Sequence, residues 1–100
     1  MILYNVTVKI DKNTEHDWVN WMKTVHIPDV MKTGFFSSNR FLKLLNPNES
    51  DGVTYSIQYF CNCIEDLESY HRDHAPTLQQ EHSQRYEGKF VAFRTLMEAI

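Results

Sequence analysis

Apolar side chains in this chain recur first at every second residue and then at helical spacing. Two more extended runs, a second helical stretch and a last extended run follow. The order is strand, helix, strand, strand, helix, strand, and it occupies all 100 residues. Two helices can cover one face of a four-stranded sheet and no more. The other face must stay wet, hold a ligand or be buried against a second copy, and any function has to be sought with that choice in view.

Residues 2–10 alternate most clearly, with Ile2, Tyr4, Val6, Val8 and Ile10 on one side and Leu3, Asn5, Thr7 and Lys9 on the other. Asp11, Lys12 and Asn13 form a turn, and Asn13 or Thr14 can cap the helix that follows. There Trp18, Trp21, Met22 and Val25 make one apolar stripe, opposite Asp17, Asn20, Lys23 and Thr24. Pro28 disfavours helical geometry at Ile27, so this helix is expected to end near His26. Residues 29–33 can add one further turn, stopped by Gly34.

A second strand is expected over about 35–45, with Arg40 in its middle, and Asn46 to Gly52 reads as a polar hairpin loop. Strand three places Val53, Tyr55, Ile57 and Tyr59 on one face and Thr54, Ser56, Gln58 and Phe60 on the other. The second helical stretch runs from Ile64 to about Tyr86, with Ile64, Leu67, His71, Ala75, Leu78 and His82 near one line. Pro76 interrupts and restarts it, and Gly88 ends it. The last strand, Lys89 to about Met97, is apolar on both sides.

This is the βαββαβ order of a ferredoxin-like α+β sandwich, one domain over residues 1–100. Right-handed crossovers give an antiparallel sheet in the order 4-1-3-2. Both helices then lie on the face of Ile2, Val6, Val8, Tyr55 and Ile57. The open face carries Leu3, Asn5, Thr7, Ser56, Gln58 and Phe60, and Arg40 and Arg94 are assigned to it as well. That surface is too apolar for plain solvated sheet and too polar for a dry core. A sheet-to-sheet homodimer enclosing a small cavity satisfies both halves of the description, against the plainer expectation of a half-wet antiparallel face.

Thirteen acidic against ten basic side chains leave a net charge of −3, with no basic cluster. Such a surface repels phosphate backbones, so no nucleic-acid partner is expected. No apolar run approaches the ~20 residues of a spanning helix. The start at Met1 shows neither the basic region nor the small-residue cleavage site of a secretory signal, so a cytoplasmic location without membrane association is expected. Cys61 and Cys63 are then expected as reduced thiols.

The opening MILYNVTVKI and the run WMKTVHIPDVMKTGFF resemble the dimeric α+β barrel superfamily, which includes cofactor-independent monooxygenases, haem-degrading enzymes and small stress-induced proteins. With HAPTLQQEH and GKFVAFRTL, the same segments are similar to a bacterial family of domains of unknown function of about this length. The resemblance spans nearly the whole chain. It implies the fold and a homodimer joined through the open sheet face, and it implies no activity, because function must be argued from a site.

Five histidines raise the question of a metal. His71 and His74 are three apart on a helix, and His82 lies two turns beyond with Glu81 beside it. Pro76 breaks their alignment, and no HxxxH or HExxH spacing is present, so no metal and no cofactor is expected. His26, beside Pro28 and Asp29, is either a helix C-terminal residue or a pocket residue, since histidines near this element sometimes line the pocket in the superfamily resembled. Trp18 and Trp21 read as core. Arg40 and Arg94 inside a sheet need a carboxylate or a bound anion. GKFVAF superficially resembles the aromatic strand of RNA-recognition domains of this topology, but here it lies on the fourth strand rather than the third. A G-x-S-x-G elbow and a glycine-rich phosphate loop are both absent from the sequence.

Two functions follow. The preferred one is a homodimeric small-molecule-binding or regulatory module, its ligand small and anionic or aromatic, held by Asn5, Arg40 and Gln58 with His26 and Arg94. The alternative is a cofactor-independent monooxygenase-like enzyme acting on a small aromatic or acidic substrate, in which the amides stabilise an enolate-like anion. No securely placed general base supports the alternative, and no catalytic residue is assigned.

Overall fold

Two ten-residue strands, β1 (Ile2–Asp11) and β3 (Gly52–Cys61), form the middle of a four-stranded antiparallel sheet. The edges are β2 (Ser38–Lys43) and β4 (Phe90–Glu98), in the order β2-β3-β1-β4. The computed structural model describes residues 1–45 and 51–100, so most of the expected Asn46–Gly52 loop lies outside the described residues. Sheet order and helix placement are those the periodicities call for. Strand two is shorter than the expected 35–45, because Phe36 leaves the sheet to pack its ring 5.2 Å from Tyr59 and 4.8 Å from Tyr70.

The core lies between the sheet and the helices, where Ile10, Trp18, Val30, Ile57 and Leu67 are almost wholly buried. Each such side chain contributes roughly 1.5–3 kcal/mol by leaving water. The second helical stretch is broken as expected: α3 (Ile64–Asp73) and α4 (Ala75–Arg85) meet at His74, whose φ of −126° is not helical. Pro76 sits in the first turn of α4, where a missing N–H costs nothing. Leu67, Ala75 and His82 are buried along this stretch, while Ile64 is exposed and Tyr70 takes a core position instead.

The first helix departs from expectation. It does not end near His26: α1 (Glu15–Trp21) passes through a π-helical turn, Met22–His26, straight into α2 (Ile27–Lys32). Ile27, the residue before Pro28, is fully helical at φ −61° and ψ −44°. Its N–H reaches back five residues to the Met22 carbonyl. The wider turn takes up the misfit between the proline ring and the carbonyl four residues before it. Burial of Ile27 and Val30 outweighs the local preference against helix at Ile27.

The π turn also moves the inward face. Trp18, Met22, His26 and Val30 now follow one another in steps of four, and Val25, expected in the core, is 38% exposed. Gly34 ends the helix at φ +84°, a conformation that favours glycine.

Candidate functional site

Of the five side chains assigned to a ligand, three share a row on the open face. Arg40 is opposite Gln58, and Gln58 is opposite Asn5, across β2, β3 and β1. Asn5 and Gln58 are linked through neighbouring hydroxyls on the same face. The Asn5 amide nitrogen donates to Thr7 Oγ1 at 2.9 Å, Ser56 Oγ donates to Asn5 Oδ1 and Gln58 Nε2 donates to Ser56 Oγ at 3.3 Å. Asn5 is buried, and the Arg40 guanidinium lies 5.4 Å above the Phe60 ring. The Asn5 and Gln58 amides thus spend hydrogen bonds on neighbours of the same face.

Arg94 corrects its assignment. The β1–β4 register sets it opposite Val6, which puts it on the helix-covered face, and its Nε donates to the Tyr4 hydroxyl at 3.1 Å. The last strand is apolar on both sides, so alternation alone could not choose its orientation; the pairing with β1 does.

On this covered face a cavity of about 50 Å³ opens between sheet and helices. Val6, Val8 and Ile57 give it an apolar floor, and Tyr4, His26, Gln79, His82, Ser83 and Arg94 bring polar atoms to its wall. Leu96 and Arg94 lie on the helix side of β4 yet are exposed, so the exposed part of the cavity wall includes the β4 edge. His26 enters the wall through the π turn. His82 and Ser83 enter with Gln79 from one face of α4, spaced three and four residues apart.

The two imidazoles meet edge to face, with ring centres 5.7 Å apart and planes at 62°. His26 stacks on Trp21 at 5.2 Å, and its Nδ1 is buried without a hydrogen-bond partner. His82 Nε2 accepts the indole N–H of Trp18 at 2.9 Å. Loss of water around His26 pushes its pKa down to about 4, against a partial pull upward from Asp29. Burial likewise takes His82 down to about 4, with repulsion from His26 and Arg94 adding to it. Both rings are neutral at physiological pH. Burial raises the Tyr4, Tyr59 and Tyr70 hydroxyls above the ordinary phenol range, so they too remain protonated.

His71 and His74 do not join this pair. His71 Nδ1 lies 3.1 Å from the Leu67 carbonyl, and His74 closes α3 against Phe35 and Tyr70. Among the described residues no three His, Cys, Asp or Glu side chains are grouped as a metal ion would require. His26 and Arg94, expected from the sequence to touch a ligand, both line this wall, Arg94 from the face opposite to the one expected; Gln79, Ser83 and Tyr4 were not anticipated there, and His82 was taken for part of a buried stripe. Gln79, His82 and Ser83 at helical spacing were the available signal. Tyr4 gave none, since a strand pattern cannot tell a core position from a cavity wall.

In overall shape the chain is similar to a dimeric ferredoxin-like protein from an uncultured marine organism, with a TM-score of 0.69, 10% identity and coverage of 100% of this chain and 95% of that one. It is also similar to MhuD, crystallised with two manganese protoporphyrin IX molecules per active site, at a TM-score of 0.71, 10% identity and coverage of 100% and 95%. SnoaB, a cofactor-independent oxygenase from Streptomyces nogalater, matches at a TM-score of 0.63 and 7% identity over 98% and 92% of the two chains. At these identities the likeness is one of fold. No curated protein matches the chain in sequence. The model of one family matches residues 1–100 from end to end, and the chain belongs to that family, the domain of unknown function DUF4286.

Proposed function

We propose that this protein is a homodimeric small-molecule-binding module whose ligand enters the covered-face cavity from the β4 edge. The observation that carries the reading is the break in the core: His26, His82, Gln79 and Ser83 meet at a cavity where a sandwich of this size ordinarily closes with apolar side chains.

In this reading His26 and Arg94 belong to the ligand site, and Asn5, Gln58 and Arg40 lie between the two sheets of the dimer. The open face supports a second copy. Val91, Phe93, Met97 and Leu42 on its two edge strands are 67%, 63%, 41% and 44% exposed. Apolar area of this kind on one face marks an interaction surface. The dimeric ferredoxin-like protein of similar fold supports the same reading.

The oxygenase alternative draws on the aromatic walls and the fold shared with SnoaB. Oxygenation of an acidic substrate needs a base with a free lone pair in the cavity, and Trp18 already occupies that of His82. Binding is therefore the better supported of the two.

The test has two parts. Sedimentation at tens of micromolar protein should give a dimer, and Phe93→Asp should give a folded monomer; a monomeric wild type refutes the assembly. A fragment screen followed by NMR on the indole N–H of Trp18, which backs His82, should find compounds that shift it. A screen of several hundred fragments that leaves that signal unmoved refutes the ligand site.

A further inference from the structure

A neutral imidazole has one N–H and one lone pair, and its surroundings decide which ring nitrogen carries which. On His82 the Nε2 lone pair is engaged by the Trp18 indole N–H, so the ring proton is on Nδ1. On His26 it is Nδ1 that is sealed in protein without a partner. A sealed acceptor is a smaller loss than a sealed donor, so the proton belongs on Nε2. Each ring is left to meet the cavity with an N–H and not with a lone pair.

The same wall carries the Arg94 guanidinium, which has donors only, and the Gln79 amide. None of the described residues lining the cavity is Asp or Glu. The nearest acidic influence on the pair is Asp29, which acts on His26 from its own helix. The floor is apolar, and Arg94 stands at the open end.

Resting on the binding reading above, we propose that the cavity is a receptor for the carboxylate of a small organic acid with a short apolar body. The N–H groups of His26, His82 and Arg94 take the carboxylate oxygens, and the body lies on Val6, Val8 and Ile57. Trp18 is a positioning residue in this scheme: it touches no ligand and fixes the proton on His82. A cationic ligand meets the Arg94 charge and finds acceptors only in the neutral Tyr4 and Ser83 hydroxyls and the Gln79 carbonyl, leaving the imidazole N–H groups unpaired, which is what makes such a site selective.

The test uses the wild-type protein at about pH 7.5. Nitrogen-15 spectra of the imidazoles should show His82 protonated on Nδ1 and His26 on Nε2; the opposite tautomer at either ring overturns the proposal. Sodium benzoate, benzamide, benzylamine and inorganic phosphate are then titrated while the same signals are followed. Benzoate should bind at least about tenfold more tightly than benzamide, the margin of a charge-assisted over a neutral hydrogen bond. Benzylamine and phosphate should leave the signals in place.

Arg94→Met should weaken benzoate by about tenfold to a hundredfold without changing either tautomer. Benzamide or benzylamine binding as well as benzoate overturns the carboxylate assignment while the binding reading stands. Phosphate binding as tightly as benzoate overturns it too, since the site would then need no organic body. If no probe moves any cavity signal, the carboxylate proposal falls, and the fragment screen on the Trp18 indole decides separately whether the binding reading falls with it.

Discussion

Acidification from about pH 7.5 to about pH 5 should destabilise the folded protein by roughly 3–4 kcal/mol through two side chains, His26 and His82. Both have folded pKa values of about 4, against 6.5 when free in an unfolded chain. Between those values the unfolded state binds protons that the folded state refuses, so stability rises with pH through the window and falls as pH drops. With ~1.4 kcal/mol per pKa unit, each ring contributes about 2 kcal/mol of the loss at pH 5. The sum is kept below twice that because part of the shift at His82 is repulsion from His26.

The exposed carboxylates of Asp51 and Asp73 have lowered pKa values, and their effect is confined to pH near and below the ordinary carboxylate range, outside this window. Thermal unfolding at fixed protein concentration should show the loss as a fall of at least ~12 °C in Tm, at about 4 °C or more per kcal/mol for a domain of this size. His82→Gln keeps an acceptor for the Trp18 indole and should roughly halve the pH effect. A stability change under about 1 kcal/mol over the window, or imidazole signals titrating near 6.5, would refute the argument that burial holds these rings neutral.

Two further outcomes concern the first helix. Met22→Ala should cost about 2–5 kcal/mol as a core truncation, whereas Val25→Ala should stay within about 0.5 kcal/mol, as for a surface site. Chemical denaturation checks both, and equal losses would mean that the π turn is absent in solution. Gly34→Ala should cost about 1–2 kcal/mol, since φ of +84° is strained for any side chain even though the space around its Cβ position is open; a neutral effect in the same assay would show that the helix ends differently.

The strands, the two helical regions and their order were legible in the alternation of residues 2–10 and 53–60 and in the stripes around Trp18 and Leu67. Burying such faces leaves one sandwich topology. The break at Pro76 was legible as well, because a missing N–H acts locally. Local rules failed where packing opposed them. Pro28 marked a helix end, but burial of Ile27 and Val30 carried the chain through it, and the π turn that resulted exchanged Val25 for His26 on the inner face.

Arg94 was misplaced for a related reason: a strand apolar on both sides has no preferred face until its register with β1 is set. What the sequence by itself determined, then, was the set of elements and their order, which depend on neighbours within a turn or two. The site is a different matter. Its walls come from residues as far apart as Tyr4 and Arg94, and the protonation of His82 depends on an indole 64 positions away, so only the tertiary structure, which brings them within hydrogen-bonding distance, could decide them.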